Sequence, residues 1–195
     1  MIKTVYGKPA ERYLGELFPD LEVIRSDRFH KLNPKIVLQD YSVKDIDQAD
    51  RFMLVKQLLE RENADRVLIF CSEGGVCQDL ARYLSEEGVP AQPFHSKQTD
   101  SERADMLYSF DRSETVCLVC TDLACRGIDF KGVKLVVQFD YAENGISLLH
   151  RLGRTGRMDT EGKGSIYFKK SSALLTRNTQ TCTQSSGKES RKISH

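Results

Sequence analysis

The chain has 195 residues, 39% of them hydrophobic and 29% charged, which is an ordinary composition for a globular protein. Lysine and arginine total 29 against 28 acidic residues, so the formal net charge of +1 argues neither for nor against a polyanionic partner. Any electrostatic function must therefore come from local placement of charge. No stretch approaches the ~20 apolar residues of a membrane span, and the N-terminus lacks the apolar core of a signal peptide.

Short apolar runs alternate along the chain with segments of helical periodicity. The predicted strands are, in order, "KIVLQDYSV", "RVLIFC", "PAQPF", "TVCLVC", "VKLVVQF" and "GSIYF". The predicted helices are "QADRFMLVKQLLERE", "VCQDLARYLSEEG", "DSERADMLYSF" and one that opens with "ISLLHRL". Continuous apolar strands between amphipathic helices are typical of a parallel sheet covered on both faces, so we predict an α/β fold. This unit is expected to span residues 34–170.

The two ends of the chain differ from this unit. Residues 1–33 contain one predicted helix, one predicted strand and a connector, too little for a core of their own. Residues 171–195 are rich in Ser, Thr, Gln and Lys and almost lack large apolar residues, so we expect a disordered tail.

The chain contains six cysteines, and Cys117 and Cys120 form a C-x-x-C pair. This spacing occurs in metal and redox sites. Here both residues lie in a predicted buried strand, where positions three apart point to opposite faces, and the second ligand pair of a zinc site is missing. We interpret the cysteines as small core residues, reduced in an intracellular compartment.

Three stretches that do not suit a core follow predicted strands directly: "CSEGG", "HSKQTD" and "TDLACRGIDF". In open parallel α/β sheets, ligands bind at the carboxyl edge of the strands. Gly74 and Gly75 precede a helix, so backbone N–H groups there are suited to an anion. Each stretch alone is compatible with an ordinary strand-to-helix turn. Their agreement on one edge favours a binding site.

The segment "LLHRLGRTGR" (residues 148–157) places basic side chains behind an apolar anchor. Arg151, Arg154 and Arg157 recur at every third position, so on a helix they would project in related directions. Gly153 and Gly156 remove bulk beside them, which lets backbone or ligand come close. The alternative is a solvated basic face. The glycines favour a concentrated negative charge, such as a polyphosphate, as the partner.

These residues resemble a known family. "CTDLACRGIDF" and "HRLGRTGR" resemble motifs V and VI of DEAD-box RNA helicases, and "VLIFC" and "HSKQTDSER" resemble motif IV and the element after it. The order and spacing agree over residues 33–170. The resemblance implies the second, C-terminal RecA-like domain of such a helicase: a three-layer parallel sheet flanked by helices. Residues 1–33 then resemble the end of the first RecA-like domain and the interdomain linker.

The resemblance also implies roles for individual residues. Arg154 and Arg157 would be arginine fingers that reach the γ-phosphate of ATP held by the other domain, and such fingers contribute about 10³–10⁵ in rate. Asp129 would accept a hydrogen bond from the ribose, and Gly127 would allow close approach. Contacts with the first domain would come from His150 and Arg151. Contacts with the RNA backbone, independent of sequence, would come from Thr121, Arg103, Ser72 and Gly74.

The chain departs from the family pattern at four positions. Asp100 replaces the usual Gln and leaves a carboxylate beside Arg103. Glu73 stands in place of Thr and Gly74 where a basic residue is common, and Asp159 replaces a Gly after motif VI. An acidic group beside an RNA phosphate is repulsive.

The chain contains no P-loop, Asp-Glu-Ala-Asp or Ser-Ala-Thr motif. We therefore expect ATP and Mg²⁺ to be bound mainly by a missing N-terminal domain, and these residues alone to be inactive, monomeric and not membrane-bound. Two alternatives stay open. One is a catalytically silent module that binds protein or RNA. The other is a stand-alone mononucleotide-binding domain, which the lack of a Gly-rich loop after the first strand disfavours.

Overall fold

A computed structural model of the chain describes residues 32–43, 47–125, 127–156 and 162–169, together with Glu16. For residues 40–43 and 165–169 it describes the backbone alone. The chain divides into two compact units, Met1–His30 and Lys31–His195, and the strands and helices given below belong to the second. The predicted segment 1–33, apart from its last residues and Glu16, and the predicted tail 171–195 lie outside the described residues.

The described unit contains one sheet of six parallel strands in the order β1-β6-β5-β2-β4-β3. The strands are β1 (Ile36–Val43), β2 (Val67–Phe70), β3 (Ala91–Phe94), β4 (Cys117–Cys120), β5 (Leu135–Gln138) and β6 (Gly162–Lys169). All strand runs predicted from the sequence are present. All four residues of each of the strands β2, β4 and β5 are buried, because helices cover both faces of the sheet.

Four α-helices connect the strands: α1 (Gln48–Glu62), α2 (Gly74–Glu86), α3 (Asp100–Asp111) and α4 (Gly145–Leu152). Side chains at the preceding position cap three of them, namely Asp47 before α1, Thr99 before α3 and Asn144 before α4. Thr99 and Glu102 form a full capping box. The first turn of α2 has no side-chain cap from Glu73, so α2 is the exception.

The core has two layers because successive residues of a strand point to opposite faces. On one face Val67 and Ile69 pack against residues of α1 and α2. On the other face Leu68 and Phe70 pack with Phe110 of α3 and with the leucines of α4. The predicted three-layer α/β fold is confirmed.

Cys117 and Cys120 lie on opposite faces of this sheet, as their spacing predicts. Burial raises the pKa of the Cys117 thiol to about 12 and also raises the pKa of the Cys120 thiol. Both therefore behave as packed apolar groups. Among the described helices, none combines the length and apolar character needed to cross a membrane.

Candidate functional site

The carboxyl ends of strands β2, β3, β4 and β5 are level with one another. Phe70 of β2 pairs in register with Cys120 of β4 and with Gln138 of β5, and Phe94 of β3 also pairs with Cys120. The loops that follow these strands therefore share one edge of the sheet. This is the edge at which ligands bind in parallel α/β sheets.

The loop after β2 leads directly into α2, and we call residues 72–75, which include the first two residues of that helix, the loop 72–75. One carboxylate from another loop holds this segment. The backbone N–H of Ser72 donates to Oδ2 of Asp140 at 2.9 Å. Gly74 then begins α2 and lies against His95, because a Cβ at Gly74 would sit 3.1 Å from His95 Cγ. With no side chain capping α2, the N–H groups of its first turn face the edge.

His95 is a buried polar residue of this edge that the sequence analysis did not single out. It is 1% exposed, its Nδ1 accepts a hydrogen bond from the Lys97 N–H at 3.2 Å, and its own N–H donates to Gln98 Oε1 at 2.8 Å. Burial, together with the Lys97 charge, lowers the pKa of His95. The imidazole is therefore neutral at pH 7, and it packs against Gly74.

Arg103 extends from the first turn of α3, and its guanidinium binds groups at the start of that helix. Its guanidinium donates to the Gln98 carbonyl and to the carboxylate of Asp100. The Asp100 side chain is 97% exposed, whereas that of Arg103 is only 23% exposed. The expected carboxylate neighbour of Arg103 is thus in direct contact with it.

Thr121 follows β4 and donates its N–H to the Phe94 carbonyl at 3.3 Å. It leads into a one-turn 3-10 helix, Asp122–Cys125. Ser72, Gly74 and Thr121 therefore lie on one sheet edge, as the sequence analysis predicts. Their contact with RNA stays a prediction.

Arg151 is buried within its own domain. Its guanidinium is 2% exposed and contacts three residues of its own domain, which with it we call the Arg151 cluster: Asp122, Gln138 and Asp140. Nε and Nη2 donate to the two Asp122 carboxylate oxygens at 2.5 and 3.0 Å, and Nη1 donates at 2.9 Å to Gln138 Oε1 and to the Asp140 carbonyl. The expected contact of Arg151 with another domain stays a prediction, and four hydrogen bonds of its guanidinium lie within its own domain. His150, one position earlier, is exposed.

A second cluster forms where Arg154 lies over the loop after the 3-10 helix. Arg154 Nη1 donates to the Ile128 carbonyl at 2.9 Å, and its Nε donates to the His150 carbonyl at 3.2 Å. Ile128 is flanked by Gly127 and Asp129, both exposed. Gly127 has φ of +68°, which favours glycine. Three of the four residues predicted for ATP are thereby neighbours, and the fourth, Arg157, lies outside the described residues.

Arg151 and Arg154 do not share a helical face. Helix α4 ends at Leu152, so Arg154 lies in a turn rather than on the helix that carries Arg151. The glycines also differ from expectation. A Cβ at Gly156 would be 2.7 Å from Ile36 Cγ1 of β1, and one at Gly153 would be 3.0 Å from the Leu149 carbonyl oxygen. They give room to the domain's own packing rather than to a ligand.

Among the residues that the structure describes, no three His, Cys, Asp or Glu side chains are grouped to hold a metal ion. Asp140 and Gln138, which join the loops of this edge, were also missed by the sequence analysis. Their only sequence signal is that they stand at and just after the carboxyl end of a predicted buried strand.

The family model described as the helicase conserved C-terminal domain matches residues 50–159. The ATP-dependent RNA helicase DBP2 of Saccharomyces cerevisiae is 35% identical over 126 residues, which are 65% of this chain and 23% of that protein. The probable ATP-dependent RNA helicase DDX52 of Mus musculus is 30% identical over 140 residues, 72% of this chain and 23% of that protein. The chain thus spans about a quarter of the length of these curated relatives.

Solved structures agree. The E. coli DEAD-box protein SrmB bound to RraA superposes with a TM-score of 0.65 at 28% identity, covering 71% of this chain and 81% of that one. S. cerevisiae Dbp5 bound to RNA and ADP BeF3 gives a TM-score of 0.81 over 94% of this chain and 48% of that one; at 20% identity this likeness supports the fold alone. The fold is therefore RecA-like, and the chain belongs to the helicase C-terminal domain family, as the second RecA-like domain of a DEAD-box RNA helicase.

Proposed function

We propose that this domain forms the C-terminal half of an ATP-dependent RNA helicase and supplies arginine fingers when it closes against an N-terminal RecA-like domain. The observation that carries the proposal is the cluster of Arg154 with residues 127–129. Two backbone carbonyls orient the guanidinium of Arg154, and Asp129 and Gly127 are exposed beside it. A cation held in place next to an exposed carboxylate suits a nucleotide that has both phosphates and a ribose.

The chemistry of this cluster is electrostatic. In phosphoryl transfer, charge spreads over the oxygens of the γ-phosphate, and a positioned guanidinium stabilises it with little reorganisation. Arg154 would give this charge, Arg157 would act with it, and Asp129 would accept from a ribose hydroxyl. His150, exposed at the end of α4, is positioned to contact the other domain. Mg²⁺, expected on the N-terminal domain, would neutralise phosphate charge there.

The opposite part of the same edge suits an RNA backbone. The uncapped first turn of α2 offers N–H groups to an anion, and Ser72, Gly74 and Thr121 are level with it. Such contacts bind phosphates without reading base sequence. Arg103 would add a charged contact, in competition with its own partner, Asp100.

A second candidate function is a catalytically silent module that docks on RNA or protein. The contact between Asp100 and Arg103 favours it, because a carboxylate already occupies the guanidinium proposed for a phosphate. We also propose that the domain is monomeric and lies in a reducing intracellular compartment. Both candidate functions are compatible with this.

The deciding experiment is an ATPase assay on this chain joined covalently to a first RecA-like domain that carries the P-loop and Asp-Glu-Ala-Asp motifs. We expect RNA-stimulated hydrolysis, and a loss of about 10³-fold or more in kcat with Arg154→Ala. The matched control is Arg82→Ala, whose side chain on α2 is 70% exposed and paired only with Asp79. Full activity of Arg154→Ala would refute the finger assignment, and RNA binding without any hydrolysis by the unsubstituted protein would favour the docking module.

A further inference from the structure

Asp140 occupies the junction between the two parts of the edge. It follows β5, and its backbone N–H donates to the Phe70 carbonyl at the end of β2 at 3.1 Å. Its side chain and its carbonyl oxygen then point to different partners. This residue therefore touches both the proposed RNA side and the proposed ATP side.

On the RNA side, the carboxylate holds the loop of residues 72–75. Oδ2 accepts the Ser72 N–H at 2.9 Å, and Oδ1 accepts from Arg51 Nη2 of α1 at 2.9 Å. Arg51 also stacks on the Phe139 ring, with its Cζ 3.9 Å from the ring centroid. The carboxylate is only 21% exposed and is held from two directions, so the positions of Ser72 and Asp140 are tightly linked.

On the ATP side, the Asp140 carbonyl accepts from Arg151 Nη1 at 2.9 Å. Arg151 lies on α4, one residue after His150 and three before Arg154, and its other donors hold Asp122 directly after Thr121. Hydrogen bonds therefore run without interruption from Ser72 through Asp140 to Arg151 and on to Asp122. Every link in this series is 3.0 Å or shorter.

We infer that Asp140 is a positioning residue that couples the RNA-facing loop 72–75 to the arginine-bearing end of α4. The inference rests on the proposed function, because it needs RNA on the first side and the fingers on the second. A ligand that displaces Ser72 moves the Asp140 carboxylate, and the rigid Asp140 backbone passes that displacement to Arg151. Energetic coupling of this kind requires a physical link that both sites bias, and Asp140 is that link.

The test uses the 195-residue chain itself and a fluorescein-labelled single-stranded RNA oligonucleotide. Asp140→Ala removes the Ser72 bond but keeps the carbonyl that holds Arg151, so we expect the Kd for RNA to rise about threefold to tenfold. Asp140→Asn keeps an acceptor for Ser72 and should stay within about twofold of the unsubstituted chain. The matched control is Asp65→Ala, an exposed aspartate whose ion pair with Lys134 lies away from this edge.

The second readout is the NMR signal of the Arg151 Nε–H, which its bond to Asp122 shields from water. In the unsubstituted chain and in Asp140→Asn, saturating RNA should shift this signal. In Asp140→Ala, RNA bound at saturation should leave it unmoved, a result that a purely stabilising role does not predict.

The outcomes separate the two proposals. If the unsubstituted chain binds no RNA, the RNA part of the proposed function fails and the inference falls with it. If RNA binds but the Arg151 signal stays still, or shifts equally in Asp140→Ala, the inference alone is overturned.

Discussion

Replacing Arg151 and Arg154 separately by alanine should lower the stability of the domain to very different extents, although the two arginines are alike in sequence context. Arg151 is 2% exposed and binds Asp122, Gln138 and Asp140, whereas Arg154 is half-buried and binds two backbone carbonyls. We therefore expect Arg151→Ala to destabilise the domain strongly and Arg154→Ala to leave its stability nearly unchanged.

The magnitude follows from the partners that each substitution leaves behind. Loss of one member of a buried ion pair costs about 3–5 kcal/mol. The Asp122 carboxylate is 40% exposed and regains water, which favours the lower end of that range. Gln138, however, is fully buried, and without Arg151 its Oε1 has no donor, at about 1–3 kcal/mol. We expect a total of about 4 kcal/mol for Arg151→Ala, against about 1 kcal/mol or less for Arg154→Ala, whose carbonyl partners are exposed or only partly buried.

Urea unfolding followed by circular dichroism measures both values, and an unchanged m value shows that the difference is one of native-state stability. A domain of ordinary stability, about 5–15 kcal/mol, stays folded after either change. Arg151→Lys should recover little, because an ammonium does not bind both Asp122 oxygens in the plane of a guanidinium. The reasoning is refuted if the two alanine variants differ by less than about 1 kcal/mol.

Three further predictions concern other parts of the domain. Gly156→Ala should lower the free energy of unfolding by about 2 kcal/mol or more, because the new Cβ would lie 2.7 Å from Ile36 Cγ1 at a φ of +63°. The control is Gly75→Ala, since a Cβ at Gly75 meets nothing within 4 Å. Equal stability of the two variants in urea would contradict the packing argument. The Cys117 thiol, whose pKa burial raises to about 12, should react with maleimide only on unfolding, so rapid labelling of Cys117 itself in the native domain, located by peptide mass spectrometry at neutral pH, would be inconsistent with the fold. Because burial lowers the pKa of His95, the unfolded chain binds more protons below its ordinary pKa of about 6.5, and stability should fall as pH drops through that value. His95→Gln should flatten this part of the pH profile in thermal melts, and an unaltered slope would exclude His95 as its source.

The sheet and its helices could be predicted from the sequence because burial on both faces leaves a simple pattern. The run "VLIF" has no polar residue to mark an exposed face, and β2 is buried throughout. The predicted helix "QADRFMLVKQLLERE" coincides with α1 from Gln48 to Glu62, and its buried residues recur at helical spacing: Phe52, Val55, Leu58 and Leu59. Here the residues that helical periodicity places on one face are the residues that the fold buries, so the pattern alone predicts the helix.

The site was predictable only in part, since sequence spacing shows which edge a residue reaches but not which partner it takes. Thr121, Ser72 and Gly74 were assigned to the correct edge because each follows a strand directly. The partner of Arg151 within the domain could not be predicted, because Asp122 lies 29 positions earlier and is reached only through the fold. His95 was overlooked because its burial depends on α2 packing above it.

The turn after α4 explains why the glycines of "HRLGRTGR" indicated a ligand when they in fact serve the fold. The Thr155 hydroxyl donates to the Val133 carbonyl at 2.6 Å, and the Asn33 amide donates to the Gly156 carbonyl at 2.8 Å. These bonds bind the turn closely to neighbouring backbone, and only a residue without a Cβ fits at Gly156. Because Arg154 lies in this turn, its position over the Ile128 carbonyl is set by packing beneath it rather than by any nucleotide. As the proposed arginine finger, Arg154 would be prepositioned in this way and would lose little conformational entropy on closing against a second domain, which is the physical advantage of building a finger on a turn that the core holds rigid.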